Sequence, residues 1–326
     1  MLAVDHPGED KSMNHTLRGG FTAFLLTLAG HGLAADGPLP PSPWGPDDTL
    51  GSLNRLSPEK VLEAAKLITT GKTYALGGVT GRSTPAYAPR TYDITVLQPG
   101  DGTGNTMGAN KATGNDDLLR TWMGIGSQID GLGHMGQEHV YYNNTPAEAF
   151  VTPKGLTKFS THALPPMVTR GVLLDMTRQF KQNPIAAGTP FNRAEIDAVA
   201  KAQGITLREG DVVLFHTGWA AMAKQDPTAF MSGEPGLGLD GARYLAELGV
   251  IAVGSDGWAV EALPFEDPTL AFPVHVELLA KNGIYILESL VTKDLAADAA
   301  YEFLFVLGQP RFEGAVQAII NPVGIR

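Results

Sequence analysis

The sequence predicts an α/β fold: a single domain with a mixed β-sheet core flanked by helices. Short apolar runs rich in β-branched residues and bounded by turn signals read as buried strands. They are RGVLLDM (170–176), DVVLFHTGW (211–219), VIAVGSD (250–256) and GIYILESL (283–290). Helical segments alternate with these runs, the pattern of parallel βαβ units. Two further stretches, 75–98 and 140–152, read as strands with no helix beside them, so the sheet is expected to be mixed rather than strictly parallel.

Taken in order, MNHTLRGGFTAFLLTLAGHGLAADG (13–37) has a basic residue at Arg18, an apolar stretch from Phe21 to Leu28, and small residues at Ala34 and Ala35. That is the pattern of a secretory signal peptide with its start at Met13, and it predicts a periplasmic or secreted protein. The domain then runs over 36–326, after an N-terminal extension of 1–35. Residues 36–48 are too proline-rich for helix or central strand and read as an extended arm. Ser57 as N-cap, Pro58 at the first helical position, Glu59 in the first turn and Gly71 at the exit predict a helix over 58–70. The Gly/Asn/Thr stretch 99–115 lacks periodicity and reads as a loop over a site. Three more helices follow: one capped by Asn192, one ending at Gly249 and one ending at Gly283.

Composition narrows the function. A formal net charge of -10, with both signs interspersed, argues against nucleic acid as the partner and leaves a small molecule. The chain has no cysteine, which excludes disulfides, thiolate nucleophiles and cysteine-based metal sites. Any metal must sit on His, Asp, Glu or amide oxygen. No later segment approaches the ~20 apolar residues of a membrane-spanning helix. No G-x-S-x-G, H-E-x-x-H or P-loop occurs, and the glycines of GDGTGNTMG (100–108) do not lead from a clear strand into a helix, so hydride transfer is not predicted either.

What remains is GSQIDGLGHMG (126–136). Gln128 and Asp130 have the i, i+2 spacing that puts two side chains on one face of an extended segment, and His134 follows a glycine-rich turn. The three can converge on one ion. A turn in which Asp130 caps backbone amides and His134 is a satisfied histidine is the alternative. His275 opens a helix and Glu288 closes the buried strand after it, where a carboxylate without a partner is costly. A capping His275 and a salt-bridged Glu288 are again the alternative.

Residues 118–326 resemble the cyclase/kynurenine formamidase family of metal-dependent hydrolases, which includes isatin hydrolase-like enzymes. The family motif H-x-G-T-H-x-D-x-P-x-H is matched by GIGSQIDGLGH, Gly124 to His134, and the blocks PPMVTRGVLLDM, LREGDVVLFHTGW, VIAVGSDGWAVEALP, FPVHVELLAKNGIYILESL and NPVGIR extend the likeness. The resemblance implies a swivelling β/β/α-type fold. It implies that Asp130 binds the metal, that His275 and Glu288 complete the site, and that His134 serves proton transfer beside it. Gly124 and Gln128 depart from the pattern, because they stand where the family has its first two histidines. The expected site therefore holds manganese or zinc, one or two per chain, with Gln128 either a fourth ligand or a partner of bound water.

The activity implied is hydrolysis of a carboxamide, formamide or cyclic amide or lactone by metal-activated water, with Gln128 helping to steady the oxyanion. Trp122, Tyr141, Trp258 and Phe272 are candidates to line the substrate pocket or to belong to the core. A non-catalytic periplasmic binding protein with an eroded metal site is one alternative, and a metal-dependent lyase or dehydratase is another. The resemblance also implies a homo-oligomer.

Overall fold

Nine strands form the central sheet. They are β1 (Thr73–Ala75), β2 (Gln128–Asp130), β3 (Met167–Asp175), β4 (Val212–His216), β5 (Ala252–Ser255), β6 (Tyr285–Glu288), β7 (Glu302–Leu307), β8 (Gln317–Ile319) and β9 (Val323–Ile325). Their spatial order is β1-β9-β7-β3-β4-β5-β6-β2-β8. The middle four, β3 to β6, run parallel. Antiparallel strands extend the sheet on both sides, β7, β9 and β1 beyond β3 and β2 then β8 beyond β6. This computed structural model describes residues 39–97 and 106–326, so the signal-peptide reading of 13–35 lies outside the described residues.

Chemistry of the strands explains their place. β4 and β5 are buried on both faces, as parallel strands under helices must be, and read accordingly as unbroken apolar runs. Each fully buried Val or Leu there contributes roughly 1.5–3 kcal/mol relative to an exposed one. Helix α1 (Pro58–Ala65) packs on β3, while α2 (Arg193–Gln203) packs on α3 (Leu239–Leu248), which in turn meets the helix over 273–281. The Asn192 side chain accepts from the third helical amide of α2 as Glu195 reaches back to the Asn192 N–H, two otherwise orphaned donors satisfied together.

Several elements differ from expectation. The 58–70 helix stops at Ala65, and Leu67 and Ile68 continue with tighter bonds to Ala64 and Ala65, because β-branched Ile68, Thr69 and Thr70 disfavour further α turns. The 75–98 segment is not one strand. Its start belongs to β1, and Tyr92–Leu97 pairs instead with Asp116–Thr121 in a separate two-stranded ribbon, the prolines between them interrupting any ladder. Most ribbon residues face solvent, Val96 and Leu118 included. Residues 140–152 break into two-residue pairs and tight helical turns around Asn143, at φ +54°, and Pro146. Residues 99–105 of the expected loop lie outside the described residues, and 106–115 form an exposed turn leading into the ribbon's second strand.

Candidate metal centre

β2 and β6 lie antiparallel with Gln128 opposite Glu288 and Asp130 opposite Ile286, and β8 brings Gln317 opposite Asp130. Paired residues share a face, so Gln128, Asp130, Glu288 and Gln317 project from the same side of the sheet. The glycines before β2 are needed for that approach. Gly126 has φ +68°, and a Cβ at Gly124 would sit 2.6 Å and 2.8 Å from the Gln317 amide and 3.0 Å from Arg90 Nη1. The space beside the motif's first position is thus taken by an amide and a guanidinium, and Arg90 donates to the Gly124 carbonyl at 2.5 Å.

His275 comes from the short α segment Pro273–His275, which continues as a π-helical stretch, Val276–Lys281. Its Nδ1 is 2.5 Å from Glu261 Oε1, and the Val274 and His275 amides also donate to that carboxylate. Glu261 thereby fixes the ring and, with Nδ1 as donor, frees Nε2 as an acceptor. Nε2 lies 3.2 Å from Glu288 Oε1 and 3.6 Å from Asp130 Oδ2, and His134 Nε2 lies 3.9 Å from the same Asp130 oxygen.

Asp130 Oδ2 and Glu288 Oε1 are buried with only imidazole nitrogen facing them, although Oδ1 and Oε2 of the same carboxylates are satisfied by amides. Such orphaned oxygens are costly unless a cation meets them. Asp130, His134 and His275 each offer a ligand atom within 4.8 Å of the others. Ligands at bond lengths of about 2.0–2.2 Å around one tetrahedral ion stand roughly 3.4 Å apart, close to the separations seen. The donor set, imidazole and carboxylate without thiolate, fits a divalent metal.

Electrostatics show how strongly the cluster draws positive charge, a proton or a cation. Burial raises Glu288, and with the adjacent Asp130 charge pushes its carboxyl up to about 7. Burial also opposes the Asp130 charge, yet His134, His275 and the Gln317 amide hold that carboxyl below its usual value. Desolvation lowers His134 despite Asp130. His275 is buried too, but Asp130, Glu261 and Glu288 outweigh that and raise it well above an ordinary histidine.

Gln128 donates through Nε2 to Glu288 Oε2 at 2.7 Å and to Asp130 Oδ1 at 3.2 Å, so its N–H, and not its carbonyl oxygen, faces the carboxylates. As placed, it bridges them. Phe272 stacks edge-on to His275, with ring centroids 5.3 Å apart. Trp258 meets Tyr87 edge-on at 4.7 Å, and its amide donates to buried Glu234. Burial and the Glu288 charge raise the Glu234 carboxyl well above the usual range. Trp122 is 49% exposed, and Tyr141 packs edge-on against Phe150 of the core rather than on the His275 ring.

Sequence reasoning missed Gln317, Glu261, Glu234 and Arg90. Glu261 and Gln317 each interrupt an apolar run, AVEALP and AVQAII, the signal that could have flagged them.

Fold and site together define an α/β protein with a carboxylate–imidazole cage at the edge of a mixed sheet. The chain belongs to the cyclase family, whose family model matches residues 56–262. Among solved structures, one described as a novel cyclase is 29% identical with a TM-score of 0.79, covering 87% of this chain and 96% of that one. An isatin hydrolase bound to the product analogue thioisatinate (18% identical, TM-score 0.59, 82% and 98% covered) shares the fold. So does isatin hydrolase A from Ralstonia solanacearum (17%, 0.58, 83% and 98%). No curated protein matches the chain.

Proposed function

We propose that the protein is a metal-dependent hydrolase that opens a carboxamide, a formamide, or a cyclic amide or lactone. The observation that carries this reading is the pair of orphaned carboxylate oxygens facing His275 Nε2. Asp130 and His275, with Glu288 beside them, would hold one divalent cation, manganese or zinc being suited to such donors, and His134 would stay uncoordinated next to it. A bound cation of this kind supplies Lewis acidity, polarising a carbonyl and acidifying water.

The chain's own residues supply the rest. His134, held neutral by burial, accepts a proton at Nε2 and returns it to the leaving nitrogen or oxygen. Glu261 keeps His275 in one orientation. Gln128 and Gln317 hold Asp130 Oδ1 and Glu288 Oε2 by donation, leaving the other oxygen of each carboxylate directed inward. Phe272 and the Trp258–Tyr87 pair offer apolar surface for a ring-bearing substrate.

The test is turnover of a panel of aryl formamides, cyclic imides and lactones in ¹⁸O-labelled water, with metal-loaded and chelator-treated protein. Metal-dependent product carrying one solvent oxygen is expected. Product without solvent oxygen would mean a lyase, and a loaded protein inert across the panel would remove the hydrolase reading.

A further inference from the structure

A second imidazole–carboxylate cluster lies along the same sheet edge. β3, β4 and β5 end side by side at Asp175, His216 and Ser255, with Asp256 next, and a half-open cavity of about 620 Å³ lies over those ends. Pairing places Phe215 opposite Ser255, and Gly254 opposite Leu287. Alternation then sends His216 to the face opposite that of Glu288. The carboxyl ends of parallel strands are where open α/β sheets bind ligands.

His216 is 6% exposed and lines this cavity. Its Nδ1 is 2.8 Å from Thr292 Oγ1 and 3.4 Å from Asp256 Oδ2, while Nε2 has no hydrogen-bond partner among the described residues. Burial opposes charge on the ring, but Asp256 and Asp175 outweigh it and hold His216 above its ordinary value. Both carboxylates of the cavity are already engaged. Asp256 accepts from the Thr217 amide and hydroxyl and from the Gly218 amide, and Asp175 from the Thr177 hydroxyl and Arg178. Lys224 and Lys293, also lining the cavity, have no ion-pair partner among the described residues. The surplus here is positive charge and one donor, opposite to the metal centre.

We propose that this cavity binds a small organic carboxylate. Its carboxylate accepts from His216 Nε2 and faces Lys224 and Lys293, and its apolar body rests on Ala220, Ala297 and Val291. The site stands apart from the cation cage, since none of the cage residues lines it, and it does not depend on the hydrolase reading.

Benzoate binding to the metal-loaded full-length protein, followed by calorimetry with benzamide and inorganic phosphate as competitors, tests this. Benzoate is expected to bind about tenfold or more weakly to the Lys224→Ala/Lys293→Ala double variant and to His216→Gln, and unchanged to Asp130→Asn. Neither competitor should displace it. Both lysines are exposed, so the double variant keeps the fold even if His216→Gln does not. The proposal is overturned if benzoate shows no saturable binding, if binding is lost in Asp130→Asn but kept in the lysine variant, or if benzamide or phosphate displaces it equally well.

Discussion

Two buried clusters of histidine and carboxylate sit on one sheet edge, and they differ in what their oxygens lack. At Asp256 the chain's own N–H and O–H groups, together with His216, satisfy the carboxylate. At Asp130 and Glu288 one oxygen of each points at the His275 Nε2 and finds no amide or hydroxyl donor. Residue types alone do not separate a structural network from a cation cage; the count of unmet donors and acceptors does.

That contrast is broken most visibly by removing charge from each cluster in turn. Asp256→Asn should destabilise the fold by about 3 kcal/mol, read from denaturant unfolding, because an amide cannot accept at both positions from the Thr217 amide and hydroxyl and the Gly218 amide, and a buried donor is left unmet. Wild-type stability in that variant would mean the network holds nothing. Asp130→Asn removes the one carboxylate that faces both histidines, so turnover should fall by more than about 100-fold with loss of bound metal. Glu261→Gln is expected to weaken metal affinity by roughly 10–100-fold in a competition assay with a chelating dye, since it loosens the His275 ring without touching the ion.

The smallest effect has the opposite sign. Glu288 is raised to about 7 in the folded chain, above its ordinary 4.5. The stability linked to its proton is complete below pH 4.5 and is lost as pH rises through about 7. In chelated protein at pH 8, Glu288→Gln should therefore be more stable than wild type by roughly 1–3 kcal/mol. Added divalent metal should reverse the order, and an order indifferent to metal would argue against a cage.

The local pattern of the sequence carries much of this. Asp130 and His134 could be singled out because seven residues hold them on glycine-rich backbone, and Glu288 because a charge ends an apolar strand. Gln317 could not be joined to them by any local rule: it reaches Asp130 across 187 residues, through a β2–β8 register that exists only once the sheet is assembled. The same limit explains the ribbon. Tyr92–Leu97 has strand-forming residues, but which partner it takes, and that its faces meet solvent rather than helix, is decided by tertiary placement.

Metal content per chain, measured by elemental mass spectrometry on protein purified without chelator beside Asp130→Asn, is the most direct test of the cage. One divalent ion per chain, absent from the variant, is predicted, because the Gln317 amide and Arg90 fill the space beside Gly124 and Gln128 offers donors to the carboxylates. No ion in either protein after reloading, or two ions in wild type, would contradict it.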